Sequence, residues 1–159
     1  MHITVLSVGR LKEKYLQEAQ KEYLKRLSAY ARVNMAEVYD DPVREGLSPG
    51  MEEIIKAREA DRIERQAPPG DYIVALDREG GQMTSEELSE FISGLALSGK
   101  SSVTFIIGGT LGLSGKILQS AHRRLSFSKM TFPHQLMRII LLEQLFRAFK
   151  IARGEPYHR

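Results

Sequence analysis

The sequence contains no cysteine and no apolar run that approaches the length of a membrane helix. Without cysteine, disulfide bonds and thiolate metal sites are excluded, which is consistent with a reducing compartment. A membrane helix needs about 20 predominantly apolar residues, so none is expected. The first nine residues also lack the basic segment and the apolar length of a signal peptide. We therefore expect a soluble, cytoplasmic protein that does not associate with a membrane.

The 159 residues are 42% hydrophobic and 27% charged, as in ordinary globular proteins. This length suits one domain with a sizeable core, so we predict a single domain over residues 1–159. The net charge is +3, but it is unevenly distributed. Residues 121–159 hold eight basic and two acidic side chains and so carry +6. This bias fits either a solvated helix face or a surface that meets a polyanionic partner.

The hydrophobic periodicity predicts strands and helices in strict alternation. Thr84 and Glu87 form a capping-box pattern at the start of the third helix, and Gly80-Gly81 predicts a turn after the third strand. Alternating strands and helices indicate an α/β fold with a parallel sheet covered on both faces. The predicted strands are 2–9, 33–39, 71–77, 102–107 and 125–130, and the predicted helices are 11–28, 49–66, 85–98, 114–122 and 133–153.

A glycine-rich segment, Gly108-Gly109-Thr110-Leu111-Gly112, follows the fourth strand directly. In parallel sheets ligands bind at the carboxyl ends of the strands, which is where this segment lies. Its glycines would let the backbone approach a ligand closely. The spacing matches neither a Walker A loop nor a dinucleotide-binding Gly-x-Gly-x-x-Gly motif. The segment is either a tight turn or the wall of a pocket for a nucleotide-like ligand bound through backbone atoms.

The last helix carries His134 and Arg138 on one face, and Glu143 and Arg147 are also four residues apart. No His or carboxylate lies near His134 at the spacing of metal ligands, so no metal site is expected. The helix is apolar over a wider arc than a surface helix needs, which indicates a central core position and a subunit interface.

A short motif, Ser-x-x-Lys, occurs at residues 126–129. It has the nucleophile spacing of some acyl-transfer enzymes, but it is interpreted as a chance match because the other motifs of that enzyme class are missing.

The final residues combine an aromatic ring, an imidazole and a guanidinium in Tyr157, His158 and Arg159. Chain ends are commonly disordered, which is one interpretation of this segment. The other is contact with RNA, because tyrosine and histidine stack on unpaired bases and arginine pairs with phosphate.

Several blocks of the sequence together resemble one family. They are residues 1–10, 106–113, 125–134, 143–149 and 156–159. With them the chain resembles the pseudouridine-N3-methyltransferases of large-subunit ribosomal RNA, in the SPOUT superfamily. The most specific blocks are Ser-Phe-Ser-Lys-Met-Thr-Phe-Pro-His, residues 126–134, and the ending Pro-Tyr-His-Arg. Two small departures, His2 and Thr110, do not affect the resemblance.

The resemblance implies an α/β/α sandwich with a deep trefoil knot near its C-terminal end. Composition could not have indicated this, because knotted chains are rare. It also implies that S-adenosylmethionine is bound in a bent form, largely by backbone atoms. The matching cofactor-binding positions are Leu76, Gly108, Phe127, Ser128, Lys129, Met130, Thr131 and Phe132.

The same resemblance implies a homodimer in which the tail of one subunit completes the site of the other. The implied substrate is a pseudouridine in helix 69 of 23S rRNA, methylated on the assembled ribosome. The matching catalytic and RNA-contacting candidates are His134, Arg147, Tyr157, His158 and Arg159, with Arg10 and Arg138 as further candidates for RNA contact. Two other functions are compatible with the sequence: methylation of tRNA by a SPOUT enzyme, and ribosome binding without catalysis.

Overall fold

A computed structural model describes residues 1–157, in which strands and helices alternate along the chain. The alternation confirms the element order predicted from the hydrophobic pattern. The strands are β1 (His2–Val8), β2 (Arg32–Val38), β3 (Tyr72–Gln82), β4 (Ser102–Ile107) and β5 (Arg123–Ser126). The helices are α1 (Lys14–Leu27), α2 (Pro49–Gln66), α3 (Ser85–Leu97), α4 (Gly115–Ser120) and α5 (His134–Ala152).

The strands form one parallel sheet in the order β2-β1-β4-β3-β5. The predicted α/β fold with a parallel sheet is therefore confirmed. The central strands β1 and β4 are almost entirely buried, because helices cover both faces. One core contains Phe105 and Leu141 together with α1, α3 and α5, and the other contains Leu6 and Ile117 together with α2 and α4. Parallel pairing brings the carboxyl ends of all the strands to one edge of the sheet.

Helices α2 and α3 begin with side-chain caps, and the cap of α3 is the capping box expected from the sequence. Ser48 accepts a hydrogen bond from the Met51 N–H at the start of α2, and Pro49 takes the first helical position. Thr84 and Glu87 form a reciprocal capping box at the start of α3. These caps fix the residue at which each helix begins.

The third and fifth strands differ from their predicted bounds. β3 continues to Gln82, so the turn predicted at Gly80-Gly81 is wrong. Leu76 and Gly81 both pair with Leu125, and residues 77–80 therefore bulge out of the strand between them. A Cβ on Gly80 would lie 2.7 Å from the carbonyl carbon of Arg124, so only glycine lets the bulge return to the sheet.

β5 ends at Ser126, earlier than predicted, because the residues after it leave the sheet and cross its edge. α5 then returns through the core, where Leu141, Leu142 and Leu145 are fully buried. The core position predicted for this helix is confirmed, while the subunit interface and the trefoil knot stay predictions. Across residues 1–157, no helix has both the length and the apolar character needed to cross a membrane.

Candidate active site

A cavity with a volume of about 750 Å³ opens at the carboxyl ends of β3, β4 and β5. This is the edge at which ligands bind in parallel sheets, and the volume lies within the usual range of about 300–1,000 Å³ for a small-molecule site. The lining residues are Leu76, Asp77, Arg78, Glu79, Ile107, Gly108, Gly109, Thr110, Leu111, Gly112, Leu113, Leu125, Phe127, Ser128, Met130, Thr131, Phe132, Pro133, His134 and Met137.

One wall of the cavity is the glycine segment 108–112, which folds tightly back on itself. The Gly112 N–H donates to the Gly109 carbonyl, 3.0 Å away, and Gly112 has a positive φ of 79°. A Cβ on Gly108 would lie 2.8 Å from the carbonyl carbon of Gly112. Any larger residue at 108 would therefore push the two sides of this loop apart. This wall thus combines three glycines, which have no side chain, with Thr110 and Leu111.

The opposite wall is the segment between β5 and α5. The Ser126 hydroxyl donates to the Ser128 carbonyl at 3.0 Å, and the Met130 N–H donates to the Ser128 hydroxyl at 3.0 Å. These two bonds hold residues 126–130 in a compact turn instead of a strand. Phe127 and Phe132 add apolar surface to the cavity. The combination of backbone groups and aromatic rings suits a flat, polar-edged ring system.

The bulge of β3 forms a third wall. Asp77 accepts hydrogen bonds from the Arg124 guanidinium, one of them at 2.8 Å, and this pair ties the bulge to β5. Arg78 donates from Nη1 to the Thr131 hydroxyl at 3.1 Å and so connects the bulge to the opposite wall. The bulge thus contributes three charged residues, Asp77, Arg78 and Glu79, to the cavity lining.

His134 lies at the cavity rim, at the first residue of α5. A Cβ on Gly9 would come within 3.6 Å of its Nε2, so the imidazole sits against the end of β1. Burial lowers the pKa of His134, and the nearby positive charge of Arg138 lowers it further, against a smaller opposing effect of Asp40. The ring is therefore neutral at pH 7.

Arg138 is buried one turn below His134, with only 1% of its surface exposed. It donates from Nη1 to Glu37 and from Nη2 to the Gly9 carbonyl. Glu37 also accepts a hydrogen bond from the Leu11 N–H at 3.0 Å. A side chain placed in this way fastens the β1–α1 loop to α5 and cannot reach an external RNA. The suggested RNA contact by Arg138 is therefore wrong.

Arg147 and Tyr157 lie together, but away from the cavity. The Arg147 guanidinium is 4.9 Å from the centre of the Tyr157 ring and pairs with Glu143 at 2.8 Å. Tyr157 also packs edge-on against Phe146. Along α5, the ten residues from Met137 at the cavity to Arg147 correspond to about 15 Å. Within one chain, this pair is too distant to act in the cavity.

Most of the proposed cofactor positions thus line one cavity, together with the candidate His134. The exception is Lys129, which does not line it, and His158 and Arg159 lie outside the described residues. Sequence reasoning missed the roles of Arg78 and Glu37. Arg78 could have been noticed, because it falls in a segment that directly follows the end of a predicted strand, whereas nothing near Glu37 in the sequence points to Arg138. No group of three or more metal-ligating side chains occurs within residues 1–157.

Comparisons with known proteins show relatives that span this chain. A family model described as "Predicted SPOUT methyltransferase" matches residues 1–158. Relatives named "Ribosomal RNA large subunit methyltransferase H" include a protein of Pelotomaculum thermopropionicum, 58% identical over 99% of this chain and 98% of the relative. A second is from Moorella thermoacetica, 57% identical over 100% of this chain and 99% of the relative. A third, from Clostridium kluyveri, is 54% identical over the full length of both.

Among solved structures, the chain resembles a probable methylase family protein from Haemophilus influenzae with a TM-score of 0.52. The alignment covers 99% of this chain and 70% of the other, and at 10% identity it supports the fold alone. The family model and the full-length relatives establish the family as well as the fold. The chain belongs to the SPOUT methyltransferase family.

Proposed function

We propose that the protein is an S-adenosylmethionine-dependent methyltransferase that modifies N3 of a pseudouridine in helix 69 of 23S rRNA on the assembled ribosome. The observation that carries this proposal is the cavity between the glycine-rich residues 108–113 and residues 127–134. The relatives that match the whole chain are named for methylation of large-subunit ribosomal RNA, which supports the substrate class.

The residues of the cavity fit the cofactor. Gly108 lets the loop 108–112 close on itself, and an adenine or ribose edge could lie against the peptide groups of its glycines. Phe127 and Phe132 offer apolar contact to the same ring system. The holding residues would be Leu76, Gly108 and the segment 127–132, of which Lys129 can contribute only through its backbone or from the rim. When bound, the cofactor supplies an electrophilic methyl group.

The chain's own part in the reaction is to orient the target base and ease loss of its N3 proton. Alignment of two reactants can contribute on the order of 7–11 kcal/mol, and a general base adds roughly 10²–10⁴-fold. Tyr157 and His158 are the proposed residues for this task. Burial raises the pKa of Tyr157 in its present setting, so its phenol stays protonated and suits orientation better than proton removal. Proton loss directly to solvent is the competing route.

A homodimer explains how both groups of residues can act together. His134 lies at the cavity, whereas Arg147 lies about 20 Å further along α5 in the same chain, with Tyr157 beside it. If a second chain packs against α5, its Arg147 and tail can be delivered to the cavity. Arg147 and Arg159 would then bind RNA phosphate, and the composite site would be assembled from two identical chains.

The proposal is tested by calorimetric titration with S-adenosylmethionine, followed by methyl-transfer assays on free RNA, ribosomal subunits and whole ribosomes. We expect saturable cofactor binding and methylation of whole ribosomes only. Absence of cofactor binding would indicate a non-catalytic ribosome-binding protein. Methylation of tRNA in place of ribosomes would overturn the substrate assignment.

The role of the tail is tested separately by deleting residues 157–159. We expect cofactor binding to persist, because Tyr157, the one of these residues that the structure describes, does not line the cavity. Methyl transfer should fall by about 10²-fold or more, the scale of a lost acid–base or orienting group. Transfer at close to the parent rate would eliminate the tail from the mechanism.

A further inference from the structure

The β3 bulge places one arginine in the wall of the cavity. Arg78 reaches across from the bulge and donates from Nη1 to the Thr131 hydroxyl at 3.1 Å. Its side chain remains 56% exposed, and its Nε lies 3.5 Å from the Glu79 carboxylate. A guanidinium has five N–H donors, so several of them remain for a further partner.

Contacts with β5 hold the bulge in place and so fix the position from which the Arg78 side chain extends. Gly80 packs against the backbone of Arg124, where even a methyl group would come within 3 Å of main-chain atoms. Asp77 is occupied by the Arg124 guanidinium and accepts from the Glu79 N–H at 3.4 Å. Arg78 therefore projects from a short segment whose two ends, Asp77 and Gly80, both lie against Arg124 of β5.

Arg78 also differs in charge from the other residues that line the cavity. Of the lining residues in the described chain, the other ionisable ones are Asp77, Glu79 and His134. His134 is neutral at pH 7 because burial and Arg138 lower its pKa. Within residues 1–157, Arg78 is thus the one lining side chain that offers a positive charge to a ligand at neutral pH.

S-Adenosylmethionine brings a carboxylate into the cavity on its amino-acid part. A carboxylate that leaves water needs a charged or hydrogen-bonding partner, and a planar guanidinium matches its two oxygens. We propose that Arg78 binds the carboxylate of the methyl donor and so fixes the direction of its amino-acid arm. This inference rests on the proposed function, since it takes the cofactor assignment as given.

The test compares two ligands that differ in one group, S-adenosylmethionine and its decarboxylated form. Calorimetric titrations of both are made with the parent chain and with Arg78→Ala, Arg78→Lys and Arg58→Ala. Arg58 is an exposed arginine on α2 that does not line the cavity, so its variant controls for the loss of a positive charge. No variant is required to be active.

We expect Arg78→Ala to weaken binding of S-adenosylmethionine about tenfold, the scale of one charge-assisted hydrogen bond, and to leave the decarboxylated ligand nearly unaffected. The affinity of Arg78→Lys for S-adenosylmethionine should lie between those of the parent and the alanine variant, and the affinity of Arg58→Ala should equal that of the parent. Equal weakening of both ligands by Arg78→Ala, or no weakening of either, would overturn the inference alone. Failure of the parent to bind either ligand would overturn the proposed function and the inference with it.

Discussion

At the scale of single residues, Gly108 makes the sharpest steric demand in the candidate site. A Cβ there would lie 2.8 Å from main-chain carbon of Gly112, which cannot rotate away as a side chain could. We expect Gly108→Ala to open the loop and to reduce affinity for S-adenosylmethionine by about 1.4 kcal/mol or more, which is at least tenfold. Calorimetry measures this effect, and circular dichroism checks that the fold is retained.

Gly115→Ala is the matched control for this substitution. Gly115 begins α4 just beyond the same loop, and a Cβ on it would meet nothing within 4 Å. Its affinity for the cofactor should therefore equal that of the parent. If the two alanine variants bind equally well, close approach of backbone at Gly108 is not what forms the pocket.

Arg138 shows how a buried charge can serve the site without touching a ligand. Its guanidinium holds both Glu37 and the Gly9 carbonyl, so Arg138→Met would leave two acceptors without this donor. Because Glu37 is partly exposed and can regain water, we expect a moderate loss of about 2–3 kcal/mol in the free energy of unfolding. Urea denaturation measures it, with the exposed Arg58→Met as control. A loss no larger than that of the control would contradict the assigned structural role.

His134 should make stability depend on pH in a defined direction. Its folded-state pKa lies below the ordinary value of 6.5, so the unfolded chain binds more protons in the window between the two values. The free energy of unfolding should therefore fall as the pH decreases through that window. His134→Gln removes the titrating group, and urea denaturation from pH 5 to pH 7.5 should give a flatter profile. Identical profiles for the variant and the parent would argue against a buried, neutral imidazole.

At the scale of secondary-structure elements, the capping box of α3 contributes to stability through residues that are close in the sequence. The Thr84 hydroxyl accepts from the Glu87 N–H, and Glu87 accepts from the Thr84 N–H. Thr84→Ala should lower the free energy of unfolding by about 1 kcal/mol, whereas Thr84→Ser should keep the bond and most of the stability. Thermal and urea denaturation of the three proteins provide the comparison. Equal destabilisation by alanine and serine would mean that the methyl group, not the hydroxyl, matters.

The same elements show what could be predicted from sequence. The helix starting at Pro49 and the capping box at Thr84 depend on residues a few positions apart, and both were predicted correctly. The end of β5 was not, because the Ser126 and Ser128 side chains replace strand pairing with a local turn. The β3 bulge depends on contact between Gly80 and Arg124, which are 44 positions apart. Local patterns do not contain such contacts.

The candidate site, too, could be predicted from the sequence only in part. Its location at the carboxyl ends of the strands follows from the alternation of elements, and Gly108 stands out in the sequence for its place after a buried strand. The assignment of residues 127–132 to a cofactor came from family resemblance, since nothing in their composition suggests it. The Arg138–Glu37 pair joins α5 to β2 across 101 positions, and only the folded chain reveals it.

At the scale of the whole molecule, the separation between the cavity and the Arg147–Tyr157 pair is the reason for proposing that each site is built from two chains. A mixture of defective chains tests this arrangement. One partner carries Gly108→Ala and is assayed at a cofactor concentration too low to fill its weakened pocket, and the other lacks residues 157–159. If the tail of each chain completes the site of its partner, a mixed dimer contains one site with a sound pocket and a sound tail.

Random pairing of equal amounts of the two chains should restore about a quarter of all sites. After the chains are unfolded and refolded together, methyl transfer to ribosomes should therefore rise well above that of either variant alone. Each variant refolded by itself is the control for recovery, and calorimetry confirms that the tail-deleted chain still binds cofactor. If tail and pocket act within the same chain, every dimer in the mixture contains only defective sites. Activity would then stay at the level of the separate variants, and the composite site would have to be abandoned.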